Sequence, residues 1–185
     1  MAEGNNTIDR TLHGTLETVA DLVQVAGGMK ASTVIIPGGD RAEDLRLVES
    51  ARDHGIIDRI VLVGDAAAIE ASVEEVGVEL GKEDIVPAAT GDEAAARTVE
   101  MVTAGGIDIV LKGNISTPII NRHMRPLAVW STVSLTTIFD AAPIAGGRPM
   151  ILTDAGFTTV CNFGRMTDLI RNAVDVARTV MEIDR

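Results

Sequence analysis

The sequence predicts an α/β protein built on a doubly wound, mostly parallel sheet. Three observations carry that reading. Short Val/Ile-rich runs alternate with segments of helical periodicity. The runs are apolar at successive positions, as strands covered on both faces must be. The connections are short and rich in Gly, Pro and Asp, residues that stop one element and start the next.

The elements follow in order. Ile8, Leu12, Leu16, Val19, Val23 and Ala26 recur at helical spacing, and Gly27-Gly28 ends that run. Thr33-Val34-Ile35-Ile36 is a first strand, stopped by Pro37-Gly38-Gly39. Residues 42–54 read as a helix with Leu45, Val48 and Ala51 on one face and Gly55 as its stop. Ile60-Val61-Leu62-Val63 is a second strand, followed by Gly64-Asp65 and a helix over 66–76. Ile85-Val86 is a third strand closed by Pro87, and 92–103 is a helix ended by Gly105-Gly106. Residues 107–111 form a fourth strand, with Asp108 as its one polar interruption.

The rhythm changes after Leu111. Ile119 to Met124 is a short helix, and 129–139 reads as a long strand. Ala145-Gly146-Gly147-Arg148 is a turn, and 149–153 a further strand. Two strands joined through a Gly-rich turn predict a hairpin, which makes the sheet mixed there. The last helix, 166–181, presents Leu169, Ile170, Ala173, Val174, Ala177 and Val180 as its core face. The expected division is an α/β domain over 1–115 and a partial second domain over 116–185.

Composition sets the function classes. With 46% hydrophobic residues among 185, the chain has enough apolar side chain for a core, which argues against disorder. Sixteen Lys and Arg against 27 Asp and Glu give a net charge of −11, which argues against a general nucleic-acid binder. An aromatic content of 2% argues against a base-stacking platform. The single cysteine, Cys161, excludes an internal disulfide and a Cys-cluster metal site, and a lone cysteine of this kind reads as a small core hydrophobe. Met1–Thr7 carries no apolar signal core. The longest uncharged stretch, 126–139, is shorter than the roughly 20 apolar residues of a membrane helix. A cytoplasmic protein without membrane contact is expected.

Ligands of open α/β sheets bind beyond the carboxyl ends of the strands. Those ends are Gly38-Gly39-Asp40, Gly64-Asp65, Pro87 to Thr90, and Lys112-Gly113-Asn114. The last is the most informative. Gly113 lets backbone approach a ligand closely, and Thr117-Pro118 reads as an N-cap followed by the first helical residue. Lys112, Ser116, Thr117 and the free helix amides then make an anion cradle. The bland alternative is a strand–turn–helix connection with a surface lysine. Gly38-Gly39-Asp40 is either a tight turn or a ligand loop. The basic run Asn121 to Arg125 is either a solvated helix end or a phosphate-holding cluster. His54 reads as a helix-terminal residue. Asp154 closes an apolar run and either orients a ligand or caps the next turn. No Walker, dinucleotide, HExxH or EF-hand pattern occurs, and no metal site is expected.

Taken in order, Val34-Ile35-Ile36-Pro37-Gly38-Gly39-Asp40, Ile60-Val61-Leu62-Val63-Gly64-Asp65, Leu111-Lys112-Gly113 with Thr117, and Arg148 to Ala155 resemble the blocks of phosphate acetyl/butyryltransferases, nearer the butyryltransferase branch. The resemblance implies an isocitrate/isopropylmalate dehydrogenase-like fold. It also implies acyl exchange between coenzyme A and inorganic phosphate, by direct attack of phosphate on the thioester. Coenzyme A thioester is then a substrate, with no tightly bound cofactor. Lys112, Gly113, Ser116 and Thr117 are implied as phosphate-site residues, and Ser131 and Asp154 as further substrate-binding residues. The family's C-terminal third, with its Ser-Arg motif and catalytic Asp, has no counterpart in these 185 residues, so no catalytic residue is assigned. A homo-oligomer, or a partner chain supplying the absent segment, is expected. The alternative is a catalytically inactive, family-derived protein that binds coenzyme A or an anion.

Overall fold

The computed structural model describes residues 18–180. The elements are α1 (Val19–Gly27), β1 (Ser32–Pro37), α2 (Ala42–Asp53), β2 (Ile57–Gly64), α3 (Ala66–Val76), β3 (Ile85–Pro87), α4 (Gly91–Ala104), β4 (Ile109–Val110), α5 (Thr117–Met124), β5 (Thr137–Phe139), β6 (Met150–Leu152) and α6 (Phe163–Val180). They divide between two compact units, one over 29–133 and one joining 18–28 to 134–180. The first unit therefore carries α5 and the loop after it as well as the four strands.

In the larger unit, four strands form a wholly parallel sheet in the order β3-β2-β1-β4. The period-two geometry of a strand explains the unbroken apolar runs. Val34, Ile36, Ile60 and Leu62 face one way and are buried with Leu45 and Val48 of α2 and Ile69 of α3. Ile35, Val61 and Val63 face the other way, against Ala94 and Ala95 of α4 and Ile120 of α5. Ile35, Ile36, Ile60 and Leu62 are fully buried. Each such side chain stabilises the fold by about 1.5–3 kcal/mol through burial alone. Helices on both faces are what the continuous Val/Ile pattern demands.

Strand order reverses beside β1, since β1 to β3 step one way and β4 returns to the far edge. At that point two loops are joined backbone to backbone. Gly113 N–H donates to the Pro37 carbonyl (3.1 Å), and Asn114 N–H to the Gly38 carbonyl (2.6 Å). A Cβ on Gly113 would overlap the Gly38 carbonyl oxygen. Gly38 has φ +72°, and a Cβ there would lie 2.5 Å from the Asn114 carbonyl carbon. Both glycines are required by the approach of main chain to main chain.

Several sequence expectations need correction. The four-stranded sheet is not mixed: β5 and β6 form their own antiparallel pair, with Phe139 opposite Met150. The expected strand over 129–139 shrinks to Thr137–Phe139, because its partner is only three residues long and residues before 137 have no ladder to join. The fourth strand loses its polar residue. Asp108 sits outside β4, where its carboxylate accepts from Thr33 N–H (2.9 Å). The first helix starts at Val19 behind a capping box of Thr18 and Asp21, and Ile8, Leu12 and Leu16 lie outside the described residues. On α6, Leu169 is buried, but Ile170 and Val174 are exposed and continue a stripe from Phe163 and Met166. A helix of 18 residues offers more apolar surface than the three-residue β6 beside it can cover. Cys161 is exposed, not a core residue. No helix among the described residues is long and apolar enough to cross a membrane.

The glycine contact yields a stability prediction. Gly113→Ala must push one loop off the other and costs about 3 kcal/mol. Gly77→Ala, at φ +78° in open space, costs only about 1 kcal/mol. Urea unfolding followed by circular dichroism measures both, and equal midpoints for the two variants would refute the backbone-contact account.

Candidate functional site

The carboxyl ends of β1, β2 and β3 and the loop after β4 surround a cavity of about 140 Å³. Its polar side chains are Asp40, Asp65, Thr90 and Asn114. Ala88, Ala94 and Ile115 give it an apolar wall, and Gly38, Gly64 and Gly91 bring bare backbone to it. Helices α3 and α4 begin at its edge. Asp65 caps α3 by accepting from Ala68 N–H (2.9 Å). Thr90 caps α4 by accepting from Glu93 N–H (3.1 Å). Each cap leaves amides of the first helical turn without an intrahelical acceptor.

Asp40 ties two loops together. Its Oδ2 accepts from the Asn114 side-chain amide (3.2 Å), and its carbonyl accepts from the Ser72 hydroxyl (2.7 Å). Its other carboxylate oxygen, Oδ1, is buried and has no hydrogen-bond partner among the described residues.

The expected site residues are only partly brought together. Lys112 is exposed and its Nζ donates to the Gly113 carbonyl (3.3 Å), outside the cavity wall. Gly113 is buried against Gly38, so the close backbone approach it permits is to its own chain. Ser116, not Thr117, is the N-cap of α5. Thr117 and Pro118 are its first two helical residues, and the Ser116 side chain makes no capping bond. The helix starts one residue early because Pro is tolerated anywhere in the first turn. Ser131 is exposed, in the loop before β5. Asp154 lies in the other compact unit.

Asp154 has a clear structural task. Its Oδ1 accepts from Leu135 N–H (3.0 Å) and Phe157 N–H (3.1 Å), and its Oδ2 from Thr158 N–H. Partial burial raises its pKa, but the amides of Leu135, Phe157 and Thr158 outweigh that and hold the carboxyl below the usual range. Of the two roles open in the sequence, capping the next turn has the bonds to support it.

Two residues of the basic cluster, Arg122 and His123, are also engaged. Asp92, in the first turn of α4, accepts from Arg122 and lies 3.0 Å from His123 Nε2, both on α5. The hydrogen bond with His123 lowers the Asp92 pKa most; desolvation opposes it, and the Arg122 hydrogen bond and charge add to the lowering. These charges fasten α5 to α4. His54 Nδ1 lies 2.6 Å from the Ser50 carbonyl at the end of α2, as a helix-terminal histidine should. Among the described residues no group of three His, Cys, Asp or Glu could hold a metal.

In the sequence Asp40 stands only within a loop that is either a tight turn or a ligand loop, and Thr90 and Asn114 only within strand-end segments. Their signal was positional: they are polar residues just past the carboxyl ends of β1, β3 and β4. The strand ends were legible, but which side chains turn into the cavity was not.

Ionised Asp154 stabilises the fold above its ordinary pKa of about 3.9, and that contribution is lost as pH falls through its lowered folded value. Asp154→Asn is therefore destabilising at neutral pH, and its deficit against wild type shrinks in acid. Thermal melts across pH 3 to 7 measure it, and a pH-independent deficit would rule the carboxylate out as the cause.

No family model matches the sequence. Among curated proteins, the phosphate butyryltransferase of Clostridium acetobutylicum is 30% identical over 147 residues, covering 75% of this chain and 48% of that protein. A probable phosphate butyryltransferase of Bacillus subtilis is 26% identical over 164 residues, covering 86% and 53%. The phosphate butyryltransferase of Clostridium beijerinckii is 28% identical over 138 residues, covering 72% and 44%. The chain spans about half the length of the curated relatives it matches. A branched-chain phosphotransacylase from Enterococcus faecalis has a similar fold, with a TM-score of 0.55 and 22% identity over 80% of this chain and 51% of that one.

Proposed function

The chain belongs to the phosphate acetyl/butyryltransferase family, and from that premise we propose that it exchanges an acyl group between coenzyme A and inorganic phosphate. The observation that carries this reading is the 147-residue match to a phosphate butyryltransferase at 30% identity. In the proposed step a phosphate oxygen attacks the thioester carbonyl directly. A carbon–oxygen bond forms, the carbon–sulfur bond breaks, and coenzyme A leaves as a thiolate that takes a proton from water. The isocitrate/isopropylmalate dehydrogenase-like fold assignment belongs to the same proposal, as does a cytoplasmic homo-oligomer without a tightly bound cofactor.

Such a reaction needs donors for phosphate and for the developing oxyanion. Ser116, Thr117 and the free amides at the start of α5 are suited to an anion, because a helix N-terminus carries partial positive charge. The Lys112 ammonium is exposed, and its 3.3 Å bond to the Gly113 carbonyl is long enough to exchange readily for a phosphate oxygen. Ser131 joins this set as a substrate-binding residue. Asp154, in the other compact unit, is the remaining substrate-binding residue that the resemblance implies.

A second reading is a family member that binds coenzyme A or an anion without catalysis, and the match to only about half the length of the curated relatives favours it.

The test is thiol release from acetyl- or butyryl-coenzyme A in the presence of phosphate. Phosphate-dependent release is expected, and Lys112→Ala should lower kcat/KM for phosphate about 10- to 100-fold, the loss of one charge-assisted hydrogen bond. Absence of release above background removes the transferase reading. Retained coenzyme A binding would then leave the binding protein.

A further inference from the structure

We infer that the cavity at the carboxyl ends of the parallel strands receives an uncharged group with an N–H donor beside an acceptor, held by the Asp40 carboxylate, and not the phosphate. The identity of the donor rests on the acyltransferase reading, in which coenzyme A carries two such groups: the amides of its pantetheine arm and the amino edge of its adenine.

Charge excludes an anion. No Lys or Arg lines the cavity, while Asp40 and Asp65 both do. An anion placed there meets two full carboxylate charges and no side-chain cation, with only the partial charge of the α3 and α4 helix starts to offset them. Asp65 is already engaged, since its Oδ1 caps α3. Asp40 is the carboxylate with capacity to spare. Its Oδ1 is buried without a partner among the described residues, and its Oδ2 takes only the long bond from Asn114. A buried acceptor without a donor is costly, and a ligand N–H removes that cost. The terminal torsion of Asp is broad, so rotation about it, with exchange of the long Asn114 bond, turns the carboxylate toward a ligand N–H in the cavity.

The rest of the wall fits the same chemistry. The start of α4 at Gly91 supplies backbone N–H groups that an acceptor on the ligand can use. Ala88, Ala94 and Ile115 supply an apolar surface for the carbon skeleton of a flat group. At about 140 Å³ the space holds one heterocycle or one amide segment. It does not hold a whole coenzyme A, because pockets for drug-sized ligands run to about 300–1,000 Å³.

Titration calorimetry of the purified chain with adenosine, pantetheine and inorganic phosphate, each alone, tests the assignment and separates the two donors. Adenosine or pantetheine should bind at millimolar concentration. Asp40→Ala should weaken that binding at least tenfold. Ala89→Leu changes an exposed lining position and narrows the cavity without touching the core, so it should do the same even if Asp40→Ala fails to fold. Phosphate affinity should not change in either variant. Three results would each overturn the assignment: no binding of adenosine or pantetheine, binding that survives Ala89→Leu, or phosphate binding lost in step with theirs. Thiol release measured on the same preparation keeps the two proposals apart. Acyl transfer without adenosine or pantetheine binding defeats the cavity assignment alone, and binding without acyl transfer defeats the transferase reading alone.

Discussion

The contact between Gly38 and the Gly113–Asn114 backbone is the constraint on which the larger unit depends. It falls where the strand order reverses, and it adds to the bonds from Asp108 and Leu111 N–H to the Thr33 and Ile35 carbonyls that hold the return strand β4 beside β1. β4 has only two residues in the ladder and little register of its own. The two amides donated from 113 and 114 to Pro37 and Gly38 extend that short pairing past the end of the strand. Side chains at 38 or 113 would hold the two loops apart, and with them the residues that line the cavity. The hydrogen bond between Asp40 and Asn114 closes the same junction one step further out.

Once that junction is set, the polar groups around it sort by what they face. Helix starts gather at the carboxyl edge of a parallel sheet because every crossover begins there. Two of them, α3 and α4, meet the cavity, and their capping side chains, Asp65 and Thr90, become part of its wall. The basic residues lie elsewhere. Lys112 turns back to its own neighbour's carbonyl, and Arg122 and His123 hold Asp92. Lys112, Arg122 and His123 are thus all engaged with partners in their own unit.

Much of the fold was legible in the sequence because its signals are local. A strand covered on both faces must be apolar at every position, and Val34 to Ile36 and Ile60 to Val63 are. Helices α2 and α4 needed only periodicity and a stop, which Gly55 and Gly105 supplied. The strand over 129–139 failed for the opposite reason. Its Val and Thr content satisfied local propensity, but strand length is set by the partner, and β6 offers three residues. The same holds for α6, where periodicity alone cannot say which of two adjacent apolar stripes is covered.

The sequence by itself determined the parallel α/β unit, its strand ends, and the family to which the chain belongs, because order, spacing and periodicity are properties of the chain alone. Only the tertiary structure decided what each polar residue faces. It turned Gly113 from a ligand-approach residue into a packing necessity, gave Asp154 three backbone amides, and left Asp40 with an unused acceptor. The physical reason is that hydrogen-bond capacity is a balance over neighbours distant in sequence. Asp40 and Asn114 are 74 residues apart, and no local pattern records that they meet.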